Sequence, residues 1–381
     1  MKEDSVALSI VATSRNDNHG NLLQERTQWF IDSIAFGASH ANFKTELIIV
    51  EWNPPHDKLS LAQTLNFPKN ISNLICKIIT VPSSVHSEIL GENSNKLPMM
   101  QMIAKNVGIK RAVGRNILST NIDILFPLET FSFCGSFLKE YQLVRTDRLD
   151  VRFPFDKSVQ NVESALNVCP ENIIRIIKSD GIYYPNSGRT NPRYKSLSDI
   201  LIFQSKQLVD KISVKQNSIR SEKQTQNVNW NKNKPSSVLI ADKLQALYSI
   251  ARFPLLHENA CGDFTLMTNT AWNQLKGYPE WPMFSWNIDS VILIQAYSFS
   301  YEMIDLSEPK IIYHMEHSEG SGWTPEGHSK LFTNLETLEL KYFTNSDLRS
   351  YRLKYMHKNK NLVINDDNWG LATADLPMLI P

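Results

Sequence analysis

Residues 98–123, PMMQMIAKNVGIKRAVGRNILSTNID, decide the fold. Proline is tolerated in a first helical turn, so Pro98 opens a helix to about Val113, with Ala104, Val107, Gly108 and Ala112 as a narrow packing face. Asn116 to Thr120 then reads as a short strand, and polar Asn121 and Asp123 stand at its C-terminal end. The same alternation holds upstream. Val6–Thr13 (VALSIVAT) is a buried strand, and Leu22–Ala35 carries helical spacing after a polar turn containing Gly20. Glu46–Trp52 (ELIIVEW) is a second strand, stopped by Asn53-Pro54-Pro55, and Leu74–Val81 is a third. Strands alternating with helices predict an α/β fold, a mixed, mostly parallel sheet of Rossmann-like kind with helices on both faces. In such a sheet the ligand crevice lies beyond the strand C-termini, which gives Asn121 and Asp123 the most weight.

Downstream the pattern loosens. Tyr141–Val151 reads as one strand, and residues 155–205 mix short apolar runs with Pro and Gly. Residues 206–236 are rich in Lys, Gln, Asn and Ser, with Trp230 the only aromatic, and read as a flexible excursion or a lid. Helical spacing returns over Ser237–Ile250, and a second ordered block spans His257–Tyr313. The expected organisation is one domain over residues 1–323 with an insertion at about 135–255. A C-terminal tail, 324–381, packs on the core through Asn368-Trp369-Gly370-Leu371.

Composition excludes several classes of function. The 381 residues carry 40 Lys+Arg against 39 Asp+Glu, a net charge of +1, without the surplus of cations that a general nucleic-acid binder needs. Cys76, Cys134, Cys169 and Cys261 lie far apart and form no CxxC pair, so reduced, buried thiols are expected. No stretch approaches about 18 apolar residues, so no membrane span is expected, and the charged N-terminus runs into an apolar stretch too mixed for a signal sequence. A cytoplasmic location follows as the expectation, with peripheral membrane contact left open.

Three features could carry chemistry. Asn121 and Asp123 flank one residue at a strand end, as a turn cap or as a metal or phosphate site. Asp263 in Cys261-Gly262-Asp263-Phe264 and Asp289 in Ser285-Trp286-Asn287-Ile288-Asp289 are isolated carboxylates beside apolar runs, as helix caps or as acid–base groups. His314-Met315-Glu316-His317 places two histidines three apart after the strand-like Ile311-Ile312-Tyr313. In a strand their rings would point to opposite faces, so one ion can take both only where the chain bends at Met315 or Glu316.

Taken in order, these pieces resemble the nucleotide-sugar glycosyltransferases of the GT-A fold, specifically the β-1,4-galactosyltransferase-like group. Ser14-Arg15-Asn16-Asp17 is similar to that group's Phe-Arg-Asn-Arg element, where backbone and arginine hold uridine diphosphate. Leu47 to Glu51 is similar to its second strand, which ends beside the nucleotide, and Lys105-Asn106-Val107-Gly108 resembles its Leu-Asn-Val-Gly helix. Thr120-Asn121-Ile122-Asp123-Ile124-Leu125-Phe126-Pro127 resembles the Ser-Asp-Val-Asp-Leu-Ile-Pro element whose second aspartate binds manganese. Gly277-Tyr278-Pro279, then Trp286 and Ile288-Asp289, resemble Gly-Phe-Pro, the acceptor tryptophan and the Glu-Asp of the base segment. His314-Met315-Glu316-His317 is similar to Met-Ile-Arg-His, whose first and last residues are metal ligands. The likeness runs over about residues 8–320 and leaves 135–255 largely unmatched.

This resemblance implies an inverting, metal-dependent hexosyltransferase of polysaccharide biosynthesis. Its donor would be a nucleotide-diphosphate sugar, UDP-linked, and its acceptor a hydroxyl of a glycan or a lipid-linked sugar. The implied metal ligands are Asp123, His314 and His317, and imidazole ligands favour Mn²⁺ over Mg²⁺. Asp289 would be the catalytic base, with Ser14, Arg15, Asp17, Glu51, Asn106, Asn121, Asp263 and Trp286 binding the nucleotide sugar. The chain departs from the group at Asn121, which replaces the first aspartate of the metal element. Asn287-Ile288 and Ser290 likewise replace acceptor-contacting residues, so donor and acceptor identity are not inherited. Two alternatives stand beside this reading, a sugar-nucleotide nucleotidyltransferase and a non-catalytic sugar-nucleotide or glycan-binding module. The first normally opens on a Gly-rich loop, whereas residues 10–22 hold only Gly20. Outside the resemblance, Arg145, Asp147 and Arg148 read as surface salt bridges or as contacts to a phosphate.

Overall fold

The computed structural model describes residues 5–192, 253–317 and 328–381. Its strands and helices begin β1 Val6–Ser14, α1 Leu23–His40, β2 Lys44–Trp52, α2 Leu61–Thr64, β3 Leu74–Val81, α3 Ser83–Leu90, α4 Gln101–Arg111 and β4 Asn116–Thr120. They continue β5 Ile124–Leu125, α5 Leu128–Gly135, β6 Gln142–Thr146, β7 Arg148–Val151, α6 Val162–Val168, β8 Ile173–Lys178, β9 Gly181–Tyr184 and β10 Arg189–Pro192. After residue 252 come β11 Phe264–Thr268, α7 Asn269–Leu275, α8 Val291–Ser298, β12 Glu302–Leu306, β13 Ile312–Met315, α9 His328–Thr337, α10 Asn345–Tyr355 and β14 Met378–Leu379. The segments 206–236 and 237–250 lie outside the described residues.

The main sheet has eight strands in the order β12-β6-β11-β4-β1-β2-β3-β14. Strands β4, β1, β2 and β3 run parallel, as the sequence predicts, whereas β11 and β14 are antiparallel to their neighbours. Alternate residues of the central strands feed two cores, because neighbouring side chains of a strand point to opposite faces. Leu8, Ile10 and Ala12 of β1 and Leu47 and Ile49 of β2 pack with Phe30, Ile31 and Ile34 of α1. Val11, Ile48, Val50 and Trp52 pack with Ala104 and Val107 of α4 and with α7 and α8. Gly108 permits the close approach of α4, since a Cβ there would lie 2.4 Å from Val11 Cγ1. Gly108→Ala is therefore expected to destabilise the fold by about 1–3 kcal/mol, read as a lower urea midpoint at unchanged slope.

The expected strand over Tyr141–Val151 is two strands in two sheets. Asp147 breaks it, its N–H bonding the Leu306 carbonyl, so that β6 stays in the main sheet while β7 enters a second one. That sheet has six strands, in the order β10-β9-β8-β7-β13-β5. It positions the site. Strand β5 begins just after Asp123 and pairs antiparallel with β13, placing His314 opposite Ile124, while β7 pairs parallel with β13 and sets Asp150 opposite His314.

Trp369 is buried in the core of the α4 face, and Arg111 ties the tail down by donating to the carbonyls of Gly370, Leu371 and Ala374. All four cysteines are free and buried. Among the described residues, no helix is long and apolar enough to cross a membrane.

Candidate active site

A cleft of about 640 Å³ opens beyond the C-terminal ends of β1 and β4, between the main sheet and the second sheet. That is the position the sheet topology dictates, and the size suits a small-molecule ligand. Asp123 lies in its wall, 6% exposed, where the chain leaves β4 for β5. Met315 N–H bonds the Asp123 carbonyl at 2.9 Å, which seats the end of β13 against it. The strand stops at Met315, and this bend puts both histidine rings on one side, 5.5 Å apart. Asp123 Oδ2 is 3.2 Å from His317 Nε2 and 3.6 Å from His314 Nε2.

These residues fit a divalent ion. An octahedral ion with bonds of about 2.1 Å spaces neighbouring ligand atoms about 3 Å apart, and one ligand atom from each of the three residues lies within 4.8 Å of the others. Asp123 Oδ1 is buried and has no hydrogen-bond partner, which leaves an acceptor for a cation to satisfy. The other oxygen is held: Arg26 of α1, fully buried, donates from Nη1 to Oδ2 at 3.1 Å. Burial opposes charge on Asp123, yet His314 and His317 hold its carboxyl well below the usual carboxylate range. Burial and Arg148 likewise oppose charge on His314, while Asp123 and Asp150 outweigh them and push it up to about 10.

Behind His314 stands a second set of carboxylates. Asp150 Oδ1 lies 3.2 Å from His314 Nδ1, and Arg148 Nε lies 2.8 Å from the same oxygen. Arg175 pairs with Asp150 and, at 2.5 Å, with Glu316. Asp150, His314 and Glu316 also come together as a group of metal-ligand type. Their carboxylates already face two arginines, so they support His314, whose Nδ1 meets a carboxylate while Nε2 turns to Asp123.

The remaining walls carry most of the predicted binding residues. Ser14, Arg15 and Asp17 line the cleft from the end of β1; Arg15 donates to the Asn53 carbonyl at 2.6 Å and to Asp17 at 2.8 Å, which fixes its fork. Asn121 donates to Asp263, which also pairs with Arg148. Asp289 and Trp286 line the opposite side, with Trp286 half-buried and edge-on to Phe332 at 5.1 Å. Burial raises the Asp289 pKa, opposed by Lys105 and Arg145.

Two of the expected binding residues lie elsewhere. Glu51 is buried and accepts from the Leu61 N–H at the start of α2, and Asn106 exchanges hydrogen bonds with both backbone groups of Tyr278. Neither lines the cleft. The surface reading of Arg145 and Arg148 is also corrected. Arg145 is 1% exposed and donates to the carbonyls of His257, Asn259 and Cys261, while Arg148 bridges Asp150 and Asp263. Only Asp147 meets a partly exposed lysine, Lys178, at 3.4 Å. Arg26, Asp150 and Glu316 were not anticipated; the available signal for Arg26 was an arginine on the apolar stripe Leu23, Thr27, Phe30.

No protein-family model matches the chain, and no curated protein sequence does. Among solved structures it is similar to S. aureus TarS 1–349 in complex with UDP, at 13% identity and a TM-score of 0.38, covering 92% of this chain and 70% of that one. It is also similar to GalNAc-T7 with UDP, GalNAc and Mn²⁺, at 10% identity and a TM-score of 0.40, covering 94% of this chain and 56% of that one. The match to the galactosyltransferase LgtC with donor and acceptor sugar analogs is shorter, at 13% identity and a TM-score of 0.25 over 36% of this chain. The chain thus spans just under half of LgtC, 46% of its length.

Proposed function

We propose that this chain is an inverting glycosyltransferase, dependent on a divalent metal, that moves a hexose from a UDP-linked donor to a hydroxyl of a glycan or lipid-linked sugar. One observation carries the reading: Asp123, His314 and His317 converge in the same cleft that Asp289 lines from the other side. A metal bound there would supply Lewis-acid stabilisation for the diphosphate as negative charge grows on it. Mn²⁺ suits two imidazoles and a carboxylate better than Mg²⁺ does. The rest falls to protein groups. Arg15, pre-aligned by Asn53 and Asp17, offers its remaining donors to a phosphate oxygen. Asp289 takes the proton from the acceptor hydroxyl as that oxygen attacks the anomeric carbon opposite the leaving group, and single in-line displacement inverts that carbon. Trp286 presents a flat face to a sugar ring. A role in polysaccharide assembly inside the cytoplasm, with contact to a membrane-held acceptor, is part of the same proposal.

The test is a screen of UDP- and other nucleotide-linked hexoses for Mn²⁺-dependent hydrolysis by the purified chain. At least one donor is expected to release its nucleoside diphosphate, and only with metal. Binding of donors with no turnover of any would instead favour the binding-module reading.

A further inference from the structure

Lys105 is completely buried on α4, although a buried ammonium is costly unless it is paired. Its Nζ donates to the Gly262 carbonyl, in the turn Cys261–Asp263 that precedes β11. A Cβ built on Gly262 would lie 3.5 Å from Lys105 Nζ and 3.2 Å from Asp289 Oδ2, so ammonium and carboxylate flank the same α-carbon. The charged and titratable groups facing Lys105 are Asp263, Asp289, Cys261 and Asp123; those facing Asp289 are Lys105, Arg145, Asp263, Cys261 and Tyr278. Asp263 is already held by Arg148 and Asn121, and Asp123 by Arg26 and two histidines. Arg145 spends its donors on backbone carbonyls and the Thr265 hydroxyl. Among the described residues, then, no cation forms a direct ion pair with Asp289, and Lys105, on the other side of the Gly262 turn, acts on its charge more strongly than Arg145 does.

We infer that Lys105 is a positioning residue for Asp289, its ammonium standing under the Gly262 turn and holding that carboxylate ionised and fixed at the edge of the cleft. This rests on the reading of Asp289 as the base. Burial lowers Lys105 to about 8, with Asp263 and Asp289 opposing, so it carries its proton at neutral pH and loses it in mild alkali. The wild-type rate should therefore fall on both sides of neutrality, as Asp289 gains a proton in acid and Lys105 loses one in alkali.

The experiment is the pH profile of kcat/KM for Mn²⁺-dependent hydrolysis of the UDP-hexose that the donor screen returns. Wild type should show an alkaline limb near pH 8. Lys105→Met should lose that limb and move the acid limb up by about one pH unit, since Asp289 has lost the cation that acts on it most strongly. Lys105→Arg, whose charge does not titrate, should lose the alkaline limb and keep the acid limb in place. Melting temperatures establish that each variant is folded. Should Lys105→Met not fold, Lys105→Gln gives the same readout, because it keeps a donor for the Gly262 carbonyl while removing the charge. Its acid limb should also move up. A folded Lys105→Met that is slower but keeps both limbs where they were would overturn the inference. Full activity of Asp289→Asn would overturn the base reading itself, whatever Lys105 does.

Discussion

Asp289→Asn is expected to lower transfer by about 10²–10⁴-fold while leaving donor affinity within a few-fold of wild type. The substitution keeps the size of the side chain and removes its ability to accept a proton. Its neighbours can accommodate the change, since Asp289 takes a hydrogen bond from the Ser290 N–H through Oδ1, which an amide oxygen also accepts. The donor is proposed to sit against Arg15 and the Asp123 cluster on the other side of the cleft, so its binding has no reason to change greatly. Rates with saturating donor and acceptor, set beside donor affinity by calorimetry, separate the two effects. A loss confined to kcat supports the base role. Equal losses in affinity and rate would make Asp289 a donor-binding residue, and no loss in either would remove it from the mechanism.

What the sequence disclosed about this site follows the range over which its physics acts. Asp123 was legible because strand, turn and carboxylate are consecutive, and the bend at His314–His317 because a strand cannot aim both rings at one ion. The second sheet was not legible. Residues 141–151 form one uninterrupted run suited to a strand, and the break at Asp147 depends on the Leu306 carbonyl far along the chain. The burial of the arginines is illegible for the same reason. A charged side chain is most often at the surface, and nothing local to Arg145 announces the three carbonyls from 257–261 that surround it. Glu51 stands near the end of β2 and Asn106 within α4, both expected to bind the nucleotide sugar from the resemblance alone, but their hydrogen bonds are spent on Leu61 and Tyr278. Lys105 illustrates the converse. A lysine on the face shared by Ala104, Val107 and Gly108 contradicts the apolar pattern, and the structure supplies its counter-charges.

Removal of divalent ions is expected to abolish both donor hydrolysis and transfer, with Mn²⁺ restoring them best. Asp123→Asn should reproduce most of that loss in the presence of metal. The carboxylate has two roles, meeting Arg26 and both histidines through Oδ2 and leaving the buried Oδ1 without a hydrogen-bond partner. An amide can keep one acceptor for Arg26 but brings an N–H donor where a cation would sit. Loss of even an outer-shell partner typically weakens a metal site by about 10–100-fold, so loss of the one carboxylate ligand should weaken Mn²⁺ binding by about 100-fold or more. Paramagnetic resonance of free Mn²⁺ titrated with protein measures this without any turnover. His317→Ala should weaken binding less drastically at little cost to the fold, because its side chain is on the cleft side and 12% exposed. Asp123→Ala is the poorer probe, since it strands the buried guanidinium of Arg26, and about 3–5 kcal/mol of stability is the usual loss on breaking such a pair. Undiminished hydrolysis after chelation, or Mn²⁺ affinity unaltered in both Asp123→Asn and His317→Ala, would show that the three residues are a buried ion-pair cluster and that the chemistry proceeds without them.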